Sequence, residues 1–176
     1  MKNNNKGNTM EIELKKVGIE HLEILVDLRI EFIKDIHPEI DRQLLVKIQK
    51  ATLNYFNDLL NNNSYIGFIG INNNGEVICT AGLIIYYLPP LNNENYRKIG
   101  HVLNFYTKPA YRKKGIGLQL MNYLKDTALN EKINRLVLNS TKMGVSMYKK
   151  AGFIEPEDKA MLIDLYENKN EEGDKY

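Results

Sequence analysis

The residues best suited to chemistry stand in one run, His101-Val-Leu-Asn-Phe-Tyr-Thr-Lys-Pro-Ala-Tyr-Arg112-Lys-Lys-Gly115-Ile-Gly117-Leu118. A strand pattern ends, a loop gathers Arg112, Lys113 and Lys114, and Gly115 and Gly117 open a helix. Glycines let a backbone approach a ligand closely. The free N–H groups of a first helical turn present the positive end of the helix dipole to it. Three cations beside such a turn suit a diphosphate better than a neutral ligand. The plainer reading is a solvated basic loop whose glycines only make a turn. Spacing excludes two other phosphate cradles. The dinucleotide fingerprint G-x-G-x-x-G lacks its third glycine here, and the Walker pattern G-x-x-x-x-G-K-[ST] does not fit.

A second block follows, Leu138-Asn-Ser-Thr-Lys-Met-Gly-Val-Ser-Met-Tyr148-Lys-Lys-Ala-Gly152-Phe153. Ser140 or Thr141 can cap a short helix there. Lys149 and Lys150 suit its last turn, and Gly152 suits the left-handed position beyond its end.

Together the two blocks resemble the GNAT superfamily of acetyl-CoA-dependent N-acetyltransferases. Arg112, Gly115 and Gly117 match motif A, [QR]-x-x-G-x-[GA], and Tyr148 to Phe153 match the Y-x-x-x-G-F end of motif B. The resemblance implies that backbone N–H groups across Arg112, Lys113, Lys114, Gly115, Ile116, Gly117 and Leu118 hold the pyrophosphate of coenzyme A. It implies that the preceding strand offers its edge to the pantetheine arm. A backbone amide among Phe105, Tyr106 and Thr107 would then polarise the thioester carbonyl. Tyr148 becomes the general acid for the departing thiolate, the alternative being a core aromatic with a solvated hydroxyl. Thr141 stands where many members carry an asparagine at the cofactor. His101 lies where some relatives carry a catalytic glutamate, and its residue type suits a general base, although a histidine packed on a strand is the plainer reading. Asn104 could hold the amine or a water. Glu31, Asp35, Glu39 and Asp41 could greet a cationic acceptor, or simply form a solvated helix face.

The elements that must position these residues can be read from periodicity. Alternation around Ile12 and Leu14 predicts a short first strand. Leu22, Leu25, Leu28, Phe32 and Ile36 predict an amphipathic helix ending near Pro38. Leu45, Ile48, Tyr55, Phe56 and Leu59 predict a second, stopped by Asn61-Asn62-Asn63. Strands are expected at 65–71 and 77–88, joined by the turn Asn72-Asn73-Asn74-Gly75, and at 99–107. A helix from Gly115 to about Glu131, a strand at 136–138, a helix at 144–151 and a last strand at 161–165 complete the order. The expected fold is α/β: a mixed, mostly antiparallel twisted sheet with a central βαβ unit and helices on both faces. Residues 1–9 and 167–176 are polar and are expected to form a disordered lead-in and a tail around one domain at 10–166.

Composition narrows the rest. The chain has 176 residues, 43% apolar and 26% charged, as in an ordinary globular domain. A formal charge of +2 and one short basic cluster make a poor footprint for nucleic acid. No apolar run is long enough for a membrane span, and no signal segment is evident, so a cytoplasmic protein is expected. Cys79 is the only cysteine, which excludes an internal disulfide and a thiolate metal site, and no metal is expected. The implied co-substrate is acetyl-CoA, the implied partner an amine-bearing substrate, with a homodimer possible. The rival within the same fold is a non-catalytic acyl-CoA-binding sensor.

Overall fold

The computed structural model describes residues 10–90, 97–157, 161 and 163. Among the described residues, five strands form one sheet in the order β1-β2-β3-β4-β5, with β1 at Glu13–Val17, β2 at Tyr65–Ile71, β3 at Val77–Leu88, β4 at Arg97–Thr107 and β5 at Arg135–Val137. The first four pair antiparallel, and β5 pairs parallel to β4. Among the same residues, four α-helices join them: α1 (Leu22–Ile36), α2 (Arg42–Asn61), α3 (Ile116–Asn130) and α4 (Val145–Lys150). Thus β4, α3 and β5 make the expected βαβ unit.

Local chemistry sets the boundaries. The Asp41 carboxylate accepts from the N–H groups of Gln43 and Leu44, both at 2.9 Å, and so caps α2. Asn63 takes a left-handed conformation (φ 58°) just past the end of that helix. The β2–β3 turn is held by Asn72, whose side chain accepts from the N–H of Asn74 and of Glu76, while Gly75 supplies φ 80°.

The sheet divides two apolar cores. Leu120, Met121, Leu124 and Ala128 of α3 pack on Phe68, Leu83 and Val102 on one face. Leu25, Leu28 and Ile33 of α1 and Phe56 of α2 pack on Tyr65 and Ile69 on the other. Burial on both faces explains why β2 and β3 read as near-continuous apolar runs. Each fully buried Leu or Met contributes roughly 1.5–3 kcal/mol, so α3 is anchored mainly through its inner face.

Several expectations shift. The first strand lies at Glu13–Val17, slightly later than Ile12 and Leu14 suggested, and β5 begins one residue earlier than expected. Tyr55 is 41% exposed, because it stands over an open cleft and not in the core. Neither Ser140 nor Thr141 caps α4: Gly144 occupies that position without a side-chain bond, and the Ser140 hydroxyl donates to the Thr141 carbonyl at 2.8 Å. The lead-in at 1–9, most of the last strand at 161–165 and the tail at 167–176 lie outside the described residues.

Candidate active site

The site is built on an irregularity in β4. Thr80 pairs with Tyr106 and Gly82 with Leu103, so Asn104 and Phe105 together oppose Ala81. This is a β-bulge, and Asn104 takes the left-handed conformation it requires (φ 50°), one that asparagine tolerates better than most residues. A bulge reverses the alternation of faces. Val102 and Phe105 accordingly both pack on the α3 side. Leu103 faces the α1–α2 side, as does Tyr106, whose ring meets Phe32 of α1 edge-on at 5.7 Å.

Just before the bulge, β4 and β5 part. Their pairing ends at His101 with Val137. From Val102 to Thr107 the β4 edge on that side has no strand partner among the described residues. Such an edge offers N–H and C=O groups to an extended ligand.

The loop from Lys108 to Gly115 leads from this edge to α3. Gly115 precedes the helix at φ 78°, and Lys113 also lies in the left-handed region at φ 61°. The Arg112 guanidinium is engaged within the protein. Its Nε donates to the Thr107 carbonyl at 2.9 Å, its other end pairs with Asp35 on α1, and it lies 5.6 Å from the centre of the Tyr106 ring. Lys113 and Lys114 are exposed, with Lys114 over the Tyr111 ring at 5.2 Å. A Cβ at Gly117 would sit 3.6 Å from the Phe105 ring and 4.0 Å from Met147. The first turn of α3 therefore meets both β4 and α4.

Tyr148 completes the group. Its ring packs edge-on against Phe105 at 5.7 Å and against Phe153 at 5.8 Å. Burial raises the Tyr148 hydroxyl above the usual phenol range, because a phenolate would lose hydration there. It therefore stays protonated at neutral pH. Gly144 is part of the same arrangement, since a Cβ there would lie 2.7 Å from the Tyr148 ring. The residue type is set by the ring above it. The S-T-x-x-G spacing before Tyr148 is the sequence signal that could have marked it.

The remaining sequence candidates separate. His101 sits half-buried on β4, flanked by Ile84 and Val137. Thr141 is exposed, and its carbonyl accepts from the Gly144 N–H at 2.9 Å. Of the acidic candidates, Glu31 pairs with Lys108 at 3.3 Å and Asp35 with Arg112, both from α1, while Asp41 caps α2. Asn104 instead lines a cleft of about 520 Å³, with Leu103 below and Arg29, Thr52, Tyr55 and Phe56 around it. Arg29 was the missed signal, a cation on the apolar stripe of α1 between Leu25 and Phe32.

A model of the acetyltransferase (GNAT) family matches residues 27–153. The chain belongs to this family. Solved GNAT-like structures agree. A predicted acetyltransferase from Clostridium acetobutylicum, crystallised with acetyl-CoA, is 29% identical, with 87% of this chain and 96% of that one covered and a TM-score of 0.73. A GCN5-related N-acetyltransferase from Ralstonia eutropha is 25% identical over 87% of this chain and 99% of that one, with a TM-score of 0.69. Glucosamine-6-phosphate N-acetyltransferase from Arabidopsis thaliana shares the fold at 14% identity, covering 90% of this chain and 99% of that one with a TM-score of 0.63. No curated protein matches the sequence. The matched GNAT segment contains the β4 bulge, the glycine turn and Tyr148. No helix among the described residues is long and apolar enough to cross a membrane.

Proposed function

We propose that the protein moves an acetyl group from acetyl-CoA to an amine by direct attack. The observation that carries this reading is the meeting, at Phe105, of a strand edge without a strand partner among the described residues, the glycine-opened turn of α3 and the protonated Tyr148. The turn from Lys113 to Leu118 supplies N–H groups for the pyrophosphate, with Lys113 and Lys114 as its counter-charges. Backbone groups between Val102 and Thr107 receive the pantetheine amides in the manner of an added strand. An N–H among Phe105, Tyr106 and Thr107 polarises the thioester carbonyl.

The amine must arrive neutral. An amine of ordinary pKa near 10.4 costs roughly 4.6 kcal/mol to deprotonate at pH 7. His101 is the proposed base, and Asn104 holds the amine or a water. The nitrogen bonds to the acetyl carbon and gives a proton to the base, directly or through water. The carbon–sulfur bond breaks, and the thiolate takes the Tyr148 proton, which solvent then restores. Products are the N-acetyl amide and free CoA.

The test is thermal unfolding with and without acetyl-CoA, followed by thiol detection of CoA release across an amine panel. A ligand at 100 times its Kd stabilises the fold by about 2.7 kcal/mol, which a melting curve resolves. No shift at millimolar acetyl-CoA would reject the assignment. A shift without CoA release for any amine would leave the acyl-CoA sensor.

A further inference from the structure

Tyr65 begins β2 in the run Tyr-Ile-Gly-Phe-Ile-Gly-Ile, and burial alone would be met at its position by phenylalanine. Its hydroxyl is buried and has no hydrogen-bond partner among the described residues. A buried polar group left unpaired weakens a fold, and phenylalanine would avoid that cost.

The surroundings fix where this hydroxyl lies. Tyr65 pairs with Ile84, and its ring leans along β3 toward Gly82. A Cβ at Gly82 would collide with the phenol oxygen, and one at Gly67 would lie 3.2 Å from the ring, so both glycines leave room for it. Phe56 packs on the ring at 5.3 Å between centres. Gly82 pairs with Leu103, the residue before Asn104. The phenol oxygen is thereby held beside the β4 bulge, on the face where Asn104 lines the cleft of α1 and α2. Burial raises the Tyr65 hydroxyl far above the usual phenol range, and the Asn104 amide opposes the rise, as a nearby hydrogen-bond donor does. The amide is within reach of the oxygen, and the bond between them is not closed in the free protein.

We infer that Tyr65 is a positioning residue for the acceptor amine: its hydroxyl accepts from the Asn104 side-chain NH2 when an amine docks, and so turns the Asn104 side-chain oxygen to the cleft. This rests on the transferase reading above. An asparagine amide offers a donor and an acceptor side by side, and rotation exchanges them. A neutral amine facing the NH2 group would commit its lone pair to that donor and could not attack. Facing the oxygen, it donates one N–H and keeps the lone pair for the thioester carbonyl. Phe105, the next residue, turns to the opposite face and meets Tyr148, so amine and thioester come together at the bulge.

The experiment is a double-mutant cycle in the CoA-release assay, with lysine, spermidine, phenylethylamine and glucosamine as the amines. Tyr65→Phe keeps the ring and removes only the hydroxyl. Asn104→Gly removes the amide and suits the left-handed backbone at that position (φ 50°). Tyr65→Phe should lower kcat/KM for the amine by about 3- to 10-fold, the worth of one neutral hydrogen bond, while KM for acetyl-CoA and its melting shift hold. It should unfold at no lower urea concentration than wild type, because the free protein loses no bond. In the Asn104→Gly background the same change should have no further effect. An equal loss in both backgrounds, or full activity in Tyr65→Phe, would overturn the inference and leave the transferase intact. A Tyr65→Phe variant that unfolds earlier would also overturn it, since the hydroxyl would then serve the fold. If no amine is turned over, calorimetry of the same amines on CoA-loaded protein decides. Binding that Tyr65→Phe and Asn104→Gly weaken upholds the pair and rejects the transferase. No binding, or binding that neither variant changes, rejects the pair too.

Discussion

The Arg112 guanidinium pairs with the Asp35 carboxylate, and so ties the loop before α3 to α1. One cation therefore joins the two sides of the site: the turn that would hold a pyrophosphate and the helix that carries Arg29. Its second bond, to the Thr107 carbonyl at 2.9 Å, fixes the end of β4. The arginine of motif A acts here as a structural tie as well as a loop cation.

The two bonds can be separated. Both side chains of the ion pair retain solvent contact (35% and 26% exposed), so Asp35→Asn should cost less than about 1 kcal/mol in urea unfolding. Arg112→Ala should cost more, because the Thr107 carbonyl also loses its donor. It should also raise KM for acetyl-CoA, since the β4 edge is no longer held. Equal losses for the two variants would show that the Asp35 pair alone anchors the loop.

Gly117→Asp tests the phosphate cradle. The new Cβ meets Phe105 and Met147 at ordinary contact distances, and an acidic residue is favourable in a first helical turn, so the fold should persist. The negative charge opposes a pyrophosphate at the same N–H groups. The expected result is an intact melting transition with no acetyl-CoA shift. Retained affinity would show that the glycines serve the turn only.

Cys79 gives a pH prediction. The side chain is fully buried, and desolvation pushes its thiol up from 9.0 to about 12. The fold favours the protonated thiol, so this contribution is complete below the ordinary thiol range and is lost as pH rises toward 12. Urea midpoints should fall between about pH 8 and about pH 10, and Cys79→Ala should flatten that slope. The native thiol should also resist a disulfide reagent until the chain unfolds. Rapid native labelling at neutral pH would contradict the burial.

Much of the fold was legible because each element carries its own signal. The spacing of Leu25, Leu28 and Phe32 marks α1, and Asn72 to Gly75 marks the hairpin. The glycine turn and Tyr148 were legible through two motifs. What escaped depends on contacts distant in sequence. Nothing near Asn104 reveals that two β4 residues oppose Ala81, because a bulge is a property of a strand pair. The engagement of Glu31 and Asp35 by Lys108 and Arg112 was hidden for the same reason. Ser140 read as a cap because its residue type allows it, yet its hydroxyl satisfies a neighbouring carbonyl instead.

The last prediction separates the hydroxyl of Tyr148 from the position of its ring. Tyr148→Phe keeps the packing on Phe105 and Phe153 and removes only the proton donor. General acids contribute about 10²–10⁴-fold, so kcat should fall in that range while acetyl-CoA affinity holds. Gly144→Ala keeps the hydroxyl but places a methyl group 2.7 Å from the ring, which must move away. If Tyr148 is the acid, both variants should lose turnover and keep cofactor binding. Calorimetry of acetyl-CoA beside the CoA-release assay reads both quantities. Full turnover in Tyr148→Phe would leave the thiolate to take its proton from water. Full turnover in Tyr148→Phe with loss in Gly144→Ala would assign the ring a packing role alone, holding Phe105 and the β4 edge in place.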